Sequence, residues 1–165
     1  MPIRIVIADD HEPSRRSIRS VLRRRSDWLV CGEAADGFEA VELARRLRPD
    51  VILMDISMPR MNGLEATRAI SQEVPQSAVI IISQNDPAVV QDQARNAGAG
   101  AWVAKSNVTD DLIPTMQQIL SGRVRDGASG TRSSPSDFVS GGGEMGERTG
   151  SHKPARIPAI FPGGR

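Results

Sequence analysis

Residues 3–10 read IRIVIADD, a short apolar run closed by two adjacent aspartates, and the same construction recurs along the chain. VILMD at 51–55 closes on Asp55, and AWVAK at 101–105 closes on Lys105. Runs at 29–34 and 78–83 complete a set of five. Residues 3–8, 51–54 and 79–82 lack the alternation of a half-exposed strand. That pattern implies burial on both faces, as in a parallel sheet covered by helices. The run at 29–34 is weaker and reads as lying toward an edge.

The segments between the runs carry the helical period. Ile18, Val21 and Leu22 give the first an apolar stripe, and Phe38, Val41, Ala44 and Leu47 give the second one. Arg45, Arg46 and Arg48 crowd the last turn of the second, where cations favour the helix dipole, and Pro49 stops it. Asn62 and Gly63 open the third, lined by Leu64, Thr67 and Ile70. The fourth is expected over 87–96, with Gly98 as its C-terminal cap. The fifth is expected over 109–120, with Thr109 as N-cap and a distorted or 3₁₀-like start near Pro114. Five strand–helix alternations predict an α/β fold with a parallel sheet and right-handed crossovers.

Composition divides the chain of 165 residues at Gly122. Residues 1–122 hold 14 basic and 16 acidic groups, a net of −2, and residues 123–165 hold 7 and 4, a net of +3. Neither value demands nucleic acid or membrane as a partner. In 123–165, Gly, Ser and Pro supply 9, 6 and 4 of 43 residues, so a disordered tail is expected after an ordered domain at 1–122. Large apolar residues are scattered there, apart from IPAIF at 157–161. One cysteine, Cys31, excludes an internal disulfide, reads as a buried structural thiol and suits a reducing, cytoplasmic setting. No apolar stretch approaches the roughly 18 residues of a membrane span, and the N-terminus does not read as a signal peptide.

In an open parallel sheet, ligands bind just beyond the carboxyl ends of the strands. If the runs are neighbouring strands, Asp9, Asp10, Asp55 and Lys105 converge on one spot. Three carboxylates there repel one another, and a hard divalent cation such as Mg²⁺ relieves the repulsion. The spot therefore reads as a metal site beside a carboxylate able to accept a phosphoryl group. Aspartate is also a common turn residue. A lone Lys105 could be a solvated surface lysine, Ser83 a plain strand-end serine, and Trp102 plain core or a ring that moves between buried and exposed positions.

Taken together, IADDH at 7–11, DISMPRMNG at 55–63, IISQND at 81–86 and AGAGAWVAK at 97–105 resemble the response-regulator receiver family of two-component systems. The resemblance covers residues 3–121. It implies a flavodoxin-like (βα)5 three-layer sandwich with strand order 2-1-3-4-5, the order that flavodoxin shares with the chemotaxis receiver. It implies Asp55 as phosphoacceptor, Asp10 as a direct Mg²⁺ ligand, Asp9 as a ligand largely through water, and the Ser57 backbone carbonyl as a further ligand. Ser83 matches the hydroxyl switch residue and Lys105 the phosphate-pairing lysine. Trp102 matches the aromatic switch, where Tyr or Phe is more usual, and Ser106 stands where many members have Pro.

DDHEPSRRSIRSVL at 9–22 and the long stretch at 32–70 look like the NarL/LuxR-type subfamily. Those proteins carry a DNA-binding helix-turn-helix, and nothing after Gly122 shows the periodicity of a recognition helix. Arg15, Arg16, Arg19 and Arg23–Arg24–Arg25 make the first helix basic, and a solvated face is expected there. His11 reads as a loop residue. The expected function is a receiver phosphorylated by a sensor histidine kinase. It signals through a protein-binding surface to an unknown protein or a second copy, without specific DNA binding. Two alternatives stay open: a NarL/LuxR-type transcriptional regulator lacking its helix-turn-helix, and an aspartyl-phosphate phosphatase. The latter would want an aspartate where Ser57 stands.

Overall fold

The computed structural model describes residues 1–127 and 160–161. Elements alternate as the apolar runs imply: β1 (Ile3–Ala8), α1 (Glu12–Leu22), β2 (Trp28–Ala34), α2 (Gly37–Leu47), β3 (Val51–Asp55), α3 (Gly63–Glu73), β4 (Ala78–Ser83), α4 (Pro87–Ala97), β5 (Ala101–Ala104) and α5 (Val108–Gly127). A 3₁₀ turn, Lys105–Asn107, leads into α5. The strands form one sheet in the order β2-β1-β3-β4-β5, and every pairing between them is parallel. This is the flavodoxin-like receiver order.

The pleat sorts the strand residues into two cores. Val6, Ile52, Met54, Val79, Ile81 and Trp102 face α2, α3 and α4. Ile5, Ile7, Leu53, Ile80, Ile82 and Val103 face α1 and α5. Strands β3 and β4 are buried along their whole length, as continuous apolarity requires. Truncating a fully buried isoleucine such as Ile80 to alanine costs about 2–5 kcal/mol by lost transfer and cavity terms.

Helix boundaries follow local chemistry. Asn62 caps α3 by accepting from the N–H groups of Leu64 and Glu65, and the Glu65 carboxylate accepts the Asn62 N–H in return, closing a capping box. Gly98, at φ 93°, ends α4 in the left-handed conformation that glycine adopts without a Cβ penalty. Helix α2 ends at Leu47, and Arg48 caps it at φ 44°.

Four expectations need correction. Phe38 does not join the apolar stripe of α2: it is 51% exposed, in the first turn, with the Arg60 guanidinium 6.0 Å from its ring. Helix α5 begins at Val108, so Thr109 is inside its first turn rather than its cap. Pro114 lies within continuous helix, and the 3₁₀ turn precedes α5 instead. Cys31 is half-buried, like its neighbours Val30, Gly32 and Glu33 on edge strand β2; a bulge makes it the extra residue between the Ile5–Val30 and Val6–Gly32 pairs, and its Sγ lies 3.4 Å from the Ile5 carbonyl.

The fifth helix, expected to end at 120, runs on through Gly122 to Gly127. A glycine inside a helix costs only about 1 kcal/mol, too little to stop one already packed on the sheet. Most of the expected tail, 123–165, lies outside the described residues. The described pair at its far end, Ile160 and Phe161, rests against the domain.

Candidate functional site

Register places the acidic residues. Ala8 pairs with Met54, so the residues that follow, Asp9 and Asp55, leave neighbouring strands side by side. Ser83 pairs with Ala104, which puts Lys105 at the same edge. Carboxylate oxygens of Asp9, Asp10 and Asp55 lie within 4.8 Å of one another. Asp9 and Asp55 are buried, and Asp10 is exposed. The Lys105 ammonium reaches in between them, 2.8 Å from Asp9 Oδ2 and 3.3 Å from Asp55 Oδ2.

The two buried carboxyls are held differently. Burial pushes Asp9 up, but Lys105, the Ser14 hydroxyl and the His11 N–H together hold it below the usual carboxylate range. Ser14 Oγ donates at 2.6 Å and the His11 N–H at 2.9 Å. Burial likewise pushes Asp55 up; the Lys105 charge opposes this, the Asp9 charge adds to it, and the net displacement is upward. The backbone of Ser57, on the loop after β3, lowers Asp55 slightly. Burial lowers Lys105, yet the two carboxylates outweigh it and raise its pKa. One ammonium faces three carboxylates, so the cluster keeps an excess of negative charge. Its donors are all hard oxygens, and both Asp9 oxygens already accept hydrogen bonds. This fits a hydrated divalent cation held by few direct protein ligands, as Mg²⁺ prefers.

Gly63 is demanded by space at this site. A Cβ there would lie 1.9 Å from the Asp55 carbonyl oxygen, because the chain turns back under the end of β3 and the Gly63 N–H bonds the Ile56 carbonyl at 2.9 Å. Ser83 is buried at the end of β4, and its Oγ accepts the Asn85 N–H at 3.0 Å. Trp102 is buried on the α4 side, 7% exposed, and its Nε1 has no hydrogen-bond partner among the described residues. The fold thus gathers Asp9, Asp10, Asp55 and Lys105 at one point, with Ser83 on the adjoining strand end. Trp102 lies three residues upstream of Lys105, within β5.

Supporting residues escaped the sequence reading. Arg15 and Arg19 are not a solvated face: both bind the Glu33 carboxylate at the end of β2 and Glu12 in their own helix, and Arg15 also donates to the Asp9 carbonyl at 2.7 Å. This ties α1 to β2 beside the acidic pair. Asp36 caps α2 by accepting the Glu39 N–H at 3.0 Å, and it also binds Arg60 of the β3–α3 loop, whose backbone sits at φ 64°. The Asp–x–x–Glu spacing at 36–39 was the available signal. Ser14 gave none, since its partner lies five residues upstream in a different element.

The family model of the response regulator receiver domain matches residues 5–117. The chain belongs to this receiver family. The receiver is 37% identical over 120 residues to the transcriptional regulatory protein DegU of Brevibacillus brevis, covering 73% of this chain and 51% of that protein. The chain therefore spans about half the length of that relative. Among solved structures, it is similar to a LuxR-family two-component response regulator from Aurantimonas sp. SI85-9A1, with a TM-score of 0.70 and 34% identity. That match covers 74% of this chain and 87% of the other. The response regulator domain of Thermotoga maritima CheB matches with a TM-score of 0.68 at 31% identity, over 73% of this chain and 98% of that one. A likeness to a protein-glutamate methylesterase of Myxococcus xanthus, 52% identical over 80 residues, covers 23% of that protein and so does not carry its enzymatic activity here. The receiver is a phosphorelay signalling domain, and among the described residues no helix is long and apolar enough to cross a membrane.

Proposed function

We propose that this receiver accepts a phosphoryl group on Asp55 from a sensor histidine kinase, with Mg²⁺ held by Asp10, Asp55, the Ser57 carbonyl and, through water, Asp9. The observation that carries the reading is the convergence of three carboxylates and Lys105 on one strand edge. An Asp55 oxygen attacks phosphorus, the P–N bond to the kinase histidine breaks, and an acyl phosphate forms. Asp55 is at the end of a rigid central strand, so positioning and charge neutralisation supply most of what phosphoryl transfer needs. Lys105 turns from Asp55 toward a phosphoryl oxygen and keeps its hold on Asp9. A bound Mg²⁺ supplies the remaining positive charge that the incoming oxygens require.

The Ser83 hydroxyl and Trp102 then report the change, shifting the equilibrium of the face made by α4, β5 and α5. The output we assign is an altered protein-binding surface in a cytoplasmic setting rather than sequence-specific DNA contact. Ser57, where a phosphatase would want an aspartate, supports a signalling role over an enzymatic one. Treatment with a small phosphodonor and Mg²⁺ is expected to add one phosphoryl group by intact-mass measurement to the wild type and none to Asp55→Asn. Equal labelling of both proteins would refute the assignment.

A further inference from the structure

The sheet edge at β5 is not bare. An edge strand offers unpaired N–H and C=O groups that another chain can take up. Here Ile160 forms an antiparallel bridge with Ala101, in the opposite sense to every strand pairing within the sheet. The Phe161 N–H donates to the Gly100 carbonyl at 3.0 Å. The Phe161 ring is 6% exposed and joins the buried cluster that holds Val90, Ala94, Ala99 and Trp102. Arg95 of α4 places its guanidinium 4.9 Å from the ring centroid, within cation–π range. Backbone pairing, apolar burial and a cation–π contact thus meet on two residues. Ile160, at 37% exposure, supplies the rung, and Phe161 is the anchor.

We propose that α4 and the open edge of β5 form a docking surface for an extended, aromatic-bearing segment, and that residues 160–161 of this chain are its resident occupant. The surface selects two features: a backbone N–H for the Gly100 carbonyl and an aromatic ring beneath Arg95. Any partner that brings a strand to β5, a second copy included, must first displace Phe161. Topology makes the return short. Helix α5 starts beyond the carboxyl end of β5 and runs back alongside it, toward the end of the sheet where Ala101 stands. Residues 128–159 therefore have ample length to bring Phe161 home, at about 3.3–3.6 Å per residue when extended. Tethering gives the segment an effective concentration of the order of millimolar, so a weak intrinsic affinity suffices. Proline stands two residues to either side of Ile160, at 158 and 162, and proline has no N–H. A segment of this composition has few donors to offer a further strand, which suits a cover over an edge.

The proposal stands whether or not Asp55 carries a phosphoryl group. In the full-length chain, the Phe161 amide is expected to exchange at least about tenfold more slowly than an unstructured reference. In full-length Phe161→Ala that protection is lost. Trp102, isolated by Trp28→Phe, becomes more accessible to acrylamide. A synthetic peptide of residues 157–165, IPAIFPGGR, added to the Phe161→Ala chain at a concentration of about several millimolar to match the tether, restores wild-type quenching, and the same peptide with alanine for phenylalanine does not. A Phe161 amide exchanging at the reference rate, or a peptide that leaves quenching of Phe161→Ala unchanged, overturns the proposal.

Discussion

Replacing Lys105 by methionine keeps the apolar stem and removes the ammonium that touches both Asp9 and Asp55. At an effective dielectric of about 20, the contacts at 2.8 Å and 3.3 Å correspond to gross attractions of about 6 and 5 kcal/mol. Desolvation of the ammonium offsets much of this. Breaking a buried pair by removing one partner costs about 3–5 kcal/mol, because the remaining charge is left uncompensated. Two features lower that figure. The Lys105 side chain is 16% exposed, so water screens it in part. A stranded carboxyl also takes up a proton rather than stay charged, which limits the penalty at about pH 7 to about 4 kcal/mol, from roughly three pKa units at 1.36 kcal/mol each.

The expected loss for Lys105→Met is therefore about 2–4 kcal/mol, read by chemical denaturation at neutral pH in the presence of a chelator. Saturating Mg²⁺ should recover at least half of it, because the cation replaces the missing charge and binds only the folded state. Acidification should shrink the loss too, since protonated carboxyls need no counter-ion. A variant as stable as wild type in chelator would show that the buried carboxylates do not depend on Lys105. A loss that Mg²⁺ leaves untouched would place the damage in packing rather than charge.

Asp10→Ala should change the metal-free melting temperature little, because Asp10 is exposed, yet abolish most of the Mg²⁺-induced gain, which reaches about 2.7 kcal/mol at a hundred times the Kd; an equal Mg²⁺ shift in both proteins removes Asp10 from the ligand set. Asp36→Ala should cost about 1 kcal/mol at neutral pH through the lost N-cap alone, measured by denaturant titration. Burial pushes the Asp36 carboxyl up, but the Glu39 N–H and Arg60 outweigh it and hold its pKa low, so its contribution is present above the ordinary carboxylate range and lost as pH falls through the folded value. The gap between wild type and variant should thus narrow below about pH 4, and a gap that widens on acidification contradicts the assignment.

The strands and the acidic edge were legible because both are local statements. Continuous apolar runs report burial on two faces, and a charged residue closing such a run must emerge at the carboxyl edge, where Asp9, Asp55 and Lys105 are found. What escaped depends on register between distant segments. Arg15 and Arg19 looked solvated because nothing near them in sequence announces Glu33, which only the β1–β2 pairing brings within reach. Phe38 fitted the helical period, but it sits exposed in the first turn of α2, beside the Arg60 guanidinium and away from the sheet. Cys31 packs against the core only in part, as the extra residue of a one-residue bulge on edge strand β2, and the pattern of apolar residues does not encode that bulge. Phe161 lay in a segment whose Gly, Ser and Pro content argues against packing, and a single aromatic anchor is invisible to an average over composition.

Strand β5 joins the two proposals physically. It is four residues long, about 13 Å at 3.3 Å per residue. Lys105 follows its last residue and pairs with both buried carboxylates, Trp102 lies in its middle, and Ala101 at its start carries the bridge to Ile160. In the proposed phosphorylated state, a phosphoryl group on Asp55 would draw Lys105 toward new oxygens at the carboxyl end of this short strand. The indole has an unmet Nε1–H in a buried position among the described residues, which makes its present packing less than fully satisfied. A displacement of β5 in that state would therefore act on a packed ring with one unmet donor and on a docked segment anchored by one ring. Linkage makes the relation reciprocal: whatever factor phosphorylation applies to the affinity of the edge for Phe161, occupancy of that edge applies to the stability of the phosphorylated state.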